Sequence, residues 1–232
     1  MKLKNILKNN TENNRQYVYR ILKENIMNLY LEPGESISEG EIGEYLNVSR
    51  TPIREAIVKL GEERLLNVYP QRGSYVSKID LDLVVESLFM RKTLEKEMLL
   101  LAIERGVSES LIKSLEKNLH FQKVLFQLGE DLHEFFYLDN EFHKLIFKEY
   151  GKDRVWLTIK QFNSHYDRLR LLDALEKTTM EKTLKQHENI INILKTGDKR
   201  AIADTVTDHL SNFKKVIKSL QEKHPTYFEV KQ

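Results

Sequence analysis

The sequence predicts a mainly α-helical protein with one small β-hairpin, divided into a short, heavily punctuated front part and a long helical rear part. Two observations carry this prediction. Up to Ser77, short apolar runs at helical spacing are separated by turn-forming residues, and one stretch alternates as strands do. From Asp80 onward the punctuation nearly stops: no proline occurs between Pro70 and Pro225, while apolar residues keep recurring at helical spacing. A chain of 232 residues with 31% charged side chains has material for a large core and for polar helix surfaces.

Residues 1–14, rich in Asn and Lys, read as a flexible lead-in, and the first folded segment is expected at 15–78. Val18, Ile21, Leu22, Ile26 and Leu29 recur at helical spacing and predict a first helix from Arg15 to Tyr30. Pro33 and Gly34 then break it. In "SEGE" Ser38 has the form of an N-cap with Glu41 reaching back, which starts a second helix over 39–46. "NVS" interrupts, and a third helix follows from about Thr51 to Glu63, with Pro52 tolerated in its first turn. "LLNVYPQRGSYVSKI" alternates in part around "PQRG", as two short strands joined by a tight turn do. Helix, helix-turn-helix and hairpin in that order outline a winged helix.

The third helix carries the chemistry of this part. In "SRTPIREAIVKL", Arg50 and Arg54 stand four apart and project from one side, while Ile53, Ile57 and Leu60 turn toward the core. Arginine presents a planar fork that matches guanine O6 and N7. Ser49 and Thr51 add short hydroxyls at the helix start that suit phosphate. Arg72, before Gly73 at the hairpin tip, is placed to enter a minor groove or to clamp a backbone phosphate. Two arginines on a helix are also ordinary surface residues, so the frame around them carries the reading. The net charge of +2 argues neither for nor against nucleic acid.

Residues 15–77 resemble the winged helix-turn-helix domain of the GntR family of bacterial transcriptional regulators, in "LEPGESISEGEIGEYLNVSRTPIREAIVKLGEERLLNVYPQRGSYV" and above all in the PG turn, the "SRTPIREA" block and the Arg-Gly wing. The resemblance implies a homodimer on a short palindromic double-stranded operator, with Arg50 and Arg54 reading bases and Arg72 and Gly73 working at the wing. Glu55 resembles the family's acidic residue at this point and is expected to orient an arginine. Gly61 departs from the alanine-like residue usual in the family and should lower helix propensity by about 1 kcal/mol.

The rear part, 79–222, is expected to be an all-helical bundle of six or seven helices, near 80–104, 108–128, 131–149, 152–173, 176–195 and 198–221, followed by a tail at 223–232. Ser108 and Asp198 are expected N-caps. Within this apolar frame Asp139 and His143 lie on one helical face with Phe142, Ile146 and Phe147. His187 aligns with Ile190, Ile191 and Leu194, and His209 sits among Val206, Leu210 and Phe213. Taken singly, each histidine is more often a hydrogen-bonded core or surface residue. A buried acid, however, is costly unless paired, and a divalent cation resolves the cost by accepting lone pairs from oxygen and imidazole nitrogens. The chain has no cysteine, which excludes disulfides and thiolate ligands.

Residues 80–221 resemble the metal-binding FCD effector domain of the FadR subfamily of GntR proteins. The D-x-x-x-H pair matches Asp139 and His143. The histidine beginning the next-to-last helix matches His187, although this chain reads "QHE", and the last-helix histidine matches His209. The resemblance implies a bound divalent transition ion, Zn²⁺ or else Ni²⁺ or Mn²⁺, and a small carboxylate or sugar acid as effector. Arg91 in "FMRKTLE" resembles an arginine common in the first effector-domain helix and is the preferred carboxylate partner. In "HYDRLRLL", Arg168 shares a face with His165 while Arg170 points elsewhere; either arginine could meet an anion depending on the rotation of the helix, and His165 with Arg168 is the expected effector-binding pair beside Arg91.

The expected function is a metal-containing, ligand-responsive regulator, a repressor by family default and not an enzyme. A metal-dependent hydrolase fused to a DNA-binding domain is the rival, since His and carboxylate ligands with an open position activate water. Its weakness is the general base, because Glu141 and Glu188 are not placed by sequence. A metal sensor without an organic effector is the third reading. No apolar run approaches the roughly 18 residues of a membrane span and no signal-peptide core is evident, so the expected location is cytoplasmic, with no membrane partner.

Overall fold

The computed structural model describes residues 3, 4, 7–129, 132–175, 180–211 and 213–230. Two compact units emerge. One runs to Leu81 and takes in the chain again from Gln221, and the other spans Asp82–Leu220.

In the first unit, α1 (Asn14–Met27) is opened by a reciprocal capping box between Asn13 and Gln16. Lys4, in the lead-in, donates its amide to Asn25 Oδ1 at 2.7 Å. The helix stops at Met27 rather than Tyr30, because Leu29 adopts φ 57° and Tyr30 turns its amide back to the Asn25 carbonyl. Next come α2 (Glu39–Leu46), capped by Ser38 accepting from the Glu41 amide, and α3 (Arg50–Glu62). Gly43, within α2, lies close to the turn that follows: a Cβ there would stand 3.2 Å from the Val48 carbonyl oxygen and 3.5 Å from Ile53 Cδ1, so a larger residue would need that turn to give way slightly. Gly61 faces only ordinary contact distances, so no close approach demands it.

The expected hairpin is β2 (Leu66–Tyr69) and β3 (Gly73–Val76), paired antiparallel from Leu66↔Val76 to Tyr69↔Gly73. A third strand, β1 (Ser36–Ile37), pairs with the other edge of β3, giving the order β1-β3-β2. With two residues it is too short to show alternation in sequence. Val18, Ile21 and Leu22 of α1, Ile42 of α2, Ile53, Ile57 and Leu60 of α3, and Leu66 and Val76 of the sheet form one apolar core.

The other unit is helical throughout among the described residues: α4 (Leu81–Arg105), α5 (Glu109–Leu128), α6 (Leu132–Glu149), α7 (Asp153–Phe162), α8 (Ser164–Leu175), α9 (Met180–Thr196) and α10 (Ile202–His209), with α11 (Phe213–Lys223) leading out of it. Ser108 caps α5 by accepting from the Leu111 amide, and Asp198 caps a short 3₁₀ turn before α10. Two expected helices are each divided. The 152–173 segment breaks at Asn163, and the 198–221 segment becomes the 3₁₀ turn, α10 and α11. The expected starts at 131 and 176 fall on residues outside those described.

The segment expected as a tail has a partner in the first unit. Ile79 donates its amide to the Tyr227 carbonyl at 2.8 Å and accepts from Glu229 at 3.1 Å, forming a parallel bridge with Phe228, and both bridge residues are buried. Burial and the Glu32 carboxylate push the Tyr227 hydroxyl up to about 12. Phe228→Ala is therefore expected to destabilise the first unit by about 3–5 kcal/mol. Trp156, the only tryptophan, lies in the Asp82–Leu220 unit. Far-UV circular dichroism of the variant should therefore begin to change at lower denaturant than Trp156 fluorescence does, and transitions as coincident as the parent's would contradict the packing role.

Candidate functional site

Asp139, His143, His187 and His209 meet inside the helical unit, each buried, with one ligand-type atom from each within 4.8 Å of the others. The i,i+4 spacing on α6 puts Asp139 and His143 on its inward face beside Phe142, as the sequence expects. His187 comes from α9 and His209 is the last residue of α10. Phe142 stacks on His187 at a centroid distance of 4.1 Å, and Trp156 stacks on His143 at 5.9 Å. The side chain of Phe213, expected beside His209, lies outside those described.

Hydrogen bonds decide which nitrogen of each ring faces inward. His143 Nδ1 stands 3.0 Å from Glu95 Oε2, an acceptor, so Nδ1 carries a proton. His187 Nδ1 stands 2.9 Å from Gln122 Oε1. That amide is oriented because Gln122 Nε2 donates to Asn118 Oδ1 and Asn118 Nδ2 donates to the Leu138 carbonyl, which can only accept. His209 Nδ1 stands 3.2 Å from Gln186 Oε1, whose amide nitrogen donates to Asp208. With Nδ1 of each ring turned to an acceptor, Nε2 of each ring faces the cluster.

The cluster thus gathers four ligand-type atoms at close range. His143 Nε2 and His209 Nε2 are 3.1 Å apart, and His187 Nε2 is 3.5 Å from Asp139 Oδ1, with neither of the latter two atoms hydrogen-bonded among the described residues. Burial pushes the His187 imidazole down to about 3 and holds His209 well below its ordinary value, so both rings are neutral at physiological pH. Burial alone would raise the Asp139 carboxyl, but Arg170 and the surrounding imidazoles hold it well below the usual carboxylate range. Facing lone pairs around an ionised carboxylate are repulsive unless a cation lies between them. The donor set of three nitrogens and one oxygen fits a divalent transition ion.

Around the cluster lie the arginines. Arg170 Nη1 donates to Asp139 Oδ2 at 2.5 Å and Nη2 to Asp167 at 3.2 Å. Arg91 is fully buried on α4; its Nε donates to Glu95 at 2.6 Å, while Nη1 and Nη2 have no hydrogen-bond partner among the described residues. A cavity of about 40 Å³ is lined by Asp139, Tyr166, Arg170, Asp173, Thr183, His209 and apolar side chains including Phe136. The Tyr166 ring centroid lies 5.6 Å from the Arg91 guanidinium carbon and 5.2 Å from that of Arg170. Arg91, His165 and Arg168 are not among the residues that line this cavity. His165 and Arg168 are both buried, and Arg168 Nη2 is 3.2 Å from His165 Nδ1. Burial pushes Arg168 down to about 10. Of the two candidate arginines of α8 it is Arg170 that reaches the Asp139 carboxylate.

Sequence reasoning missed Glu95, Gln122 and Gln186. Glu95 carried one readable signal, its position four residues after Arg91 on the face of α4 that also holds Leu88 and Leu99.

At the other site, Ser49, Arg50, Thr51 and Arg54 are all exposed at the start of α3, and Ser49 occupies the N-cap position without a side-chain cap bond. Arg54 Nε donates to Glu39 of α2 at 2.9 Å, whereas Glu55 lies 3.8 Å from Arg15. Arg72 is exposed at the hairpin tip, where Gln71 at φ 61° and Gly73 at φ 100° make the turn.

A winged helix-turn-helix joined in one chain to a helical unit with a buried Asp/His cluster defines a DNA-binding transcriptional regulator with a candidate metal site, a non-enzymatic class. The chain belongs to the gntR family of bacterial regulatory proteins, matching that family over residues 14–76 and the FCD domain over residues 86–212. It is 33% identical over 220 residues to the HTH-type transcriptional repressor RspR of Escherichia coli K12, covering 95% of this chain and 96% of that protein. It is 32% identical over 201 residues to an HTH-type regulator of Streptomyces ambofaciens, covering 87% and 84%. Among solved structures, E. coli McbR/YncC superimposes with a TM-score of 0.71 at 19% identity over 92% of this chain and all of that one, a likeness of fold. A GntR regulator of Rhodococcus sp. RHA1 gives 0.69 at 19% identity, over 88% and 98%.

Gln122→Met removes the acceptor that fixes the His187 tautomer while preserving side-chain length. It is expected to lower the affinity of the cluster for Zn²⁺ by about 10- to 100-fold in a competition titration against a chromophoric chelator; unchanged affinity would dissociate Gln122 from the site.

Proposed function

We propose that the chain is a metal-containing transcriptional repressor of the FadR subfamily, acting in the cytoplasm, that binds a palindromic operator as a homodimer and responds to a small carboxylate. One observation carries the metal reading: four buried ligand atoms converge within 4.8 Å, and two of them, Asp139 Oδ1 and His187 Nε2, have no hydrogen-bond partner among the described residues. Asp139, His143, His187 and His209 would hold the ion, with Zn²⁺ the first choice and Ni²⁺ or Mn²⁺ the alternatives. When bound, such an ion supplies a Lewis acid able to take an oxygen donor.

The anion reading rests on Arg91, which lies outside the cavity lining but whose two terminal nitrogens form a buried planar fork without a hydrogen-bond partner among the described residues. Arg170, on the cavity wall, supplies a second guanidinium in place of Arg168. The cavity of about 40 Å³ holds a few waters, well below the roughly 300 Å³ of ordinary small-molecule sites. A small carboxylate therefore enters with less widening than a sugar acid. His165 and Arg168 are left as a buried support for α8.

For DNA, Arg50 and Arg54 read base edges, Ser49 and Thr51 bind phosphate, and Arg72 with Gly73 works at the wing. Repression is the sense suggested by the relative RspR, itself described as a repressor. Dimerisation through the helical unit is consistent with Val85 and Phe89, an exposed apolar i,i+4 pair on α4. Anion entry shifts helix packing, and so the fit of the two winged helices to two half-sites.

Elemental analysis of untagged protein purified without added metal tests the centre. Near one transition ion per chain is expected in the parent and none in the His187→Ala/His209→Ala variant. A folded parent that stays metal-free after add-back overturns the metal reading. On DNA selected by the parent from a random library, Arg54→Ala should weaken binding by about 1–3 kcal/mol and relax specificity at its base. A uniform loss across sequences would make Arg54 a phosphate contact instead.

A further inference from the structure

Glu95 lies on the buried face of α4, and its two oxygens serve different parts of the site. Oε1 accepts from Arg91 Nε at 2.6 Å, and Oε2 accepts from His143 Nδ1 at 3.0 Å. One carboxylate thus joins a cluster ligand to a guanidinium whose outer nitrogens have no partner among the described residues.

The surrounding charges sharpen the consequence. Arg91, Arg170 and Lys160 are matched by Glu95, Asp139 and Asp167, each acid in an ion pair with one of these cations. Adding a divalent cation to this balanced, largely buried array leaves an excess of positive charge, which burial makes costly. An anion seated on Arg91 would remove part of that excess, and its effect would reach His143 through the shared carboxylate.

Resting on the metal and anion reading above, we propose that Glu95 is a positioning residue through which His143 and Arg91 act on each other, so that metal and anion bind cooperatively. A carboxylate on Nη1 and Nη2 of Arg91 satisfies the guanidinium and weakens its pull on Glu95. More of the Glu95 charge then falls on the Nδ1–H of His143, which makes Nε2 a stronger donor to the metal. Reciprocity requires the metal to tighten anion binding by the same factor.

The test is a double-mutant cycle on Zn²⁺ affinity, measured with the full chain by chelator competition and needing no effector. Arg91→Met mimics the neutralised fork. Glu95→Gln should weaken Zn²⁺ binding by about 10- to 100-fold. Arg91→Met should tighten it by roughly fivefold or more, and that gain should vanish in the Glu95→Gln background. Glu95→Asp keeps the charge but is one methylene too short for both partners; it too should lose the gain, and it serves if Glu95→Gln folds poorly by circular dichroism. An equal effect of Arg91→Met with and without Glu95 overturns the proposal, because a merely structural ion pair does not transmit it. A parent that binds no Zn²⁺ overturns the metal reading itself, whereas Zn²⁺ binding with additive effects overturns only the role of Glu95.

Discussion

An ionised carboxylate inside a helical bundle requires opposite charge beside it, and Asp139, only 1% exposed, imposes that requirement on the whole effector unit. Arg170 answers it at Oδ2, but Arg170 is nearly buried and needs a second acid, which Asp167 supplies. Asp167 is held in turn by Lys160, a partly exposed residue of α7. The chain Asp139, Arg170, Asp167, Lys160 therefore runs from the cluster toward solvent and fixes the rotation of α8 against α6 and α7. The other oxygen of Asp139 stays out of this chain and faces His187, which leaves it available as a ligand.

The imidazoles are constrained by hydrogen bonds of a different kind. Each Nδ1–H is matched to an acceptor that is itself held: Glu95 by Arg91, Gln122 by Asn118 and the Leu138 carbonyl, Gln186 by Asp208. Four helices contribute by the same device, residue pairs four positions apart: Arg91 and Glu95 on α4, Asn118 and Gln122 on α5, Asp139 and His143 on α6, Tyr166 and Arg170 on α8. A polar network of this kind is stabilising only when every member is satisfied. Most of the outer bonds are made, but Arg91 Nη1 and Nη2 and Arg170 Nε, like Asp139 Oδ1 and His187 Nε2 inside, have no hydrogen-bond partner among the described residues. Part of the local cost of the site thus lies where a cation would relieve it.

Much of this was legible from the chain. Asp139 and His143 stand out because an acid and an imidazole interrupt an apolar face, and the front part declares itself through turn chemistry at Pro33, Gly34 and Gly73. The break at Asn163 was not legible, since neither proline nor glycine marks it. The structure shows why a helix can end there: buried Asn163 accepts the Asp167 amide at 2.7 Å, and the chain restarts at Ser164. Missing that break also hid the rotation of α8, so Arg168 and Arg170 could not be told apart. Gln122 and Gln186 escaped because glutamine on a helix ordinarily reads as a surface residue. Only the tertiary placement of His187 and His209 turns those amides inward.

The same connectivity bears on how a site among helices can influence a DNA reader. α4 begins at Leu81, where the first unit ends, and carries Arg91 and Glu95 within the helical unit. The other route out of the bundle follows α10, which carries His209, into α11, which ends at Lys223. Ile79 precedes α4 and Phe228 follows α11, and these two residues are bridged to each other. The two connections between the units are therefore held to each other by a bridge inside the first, so they enter it as one fastened pair rather than as two independent segments.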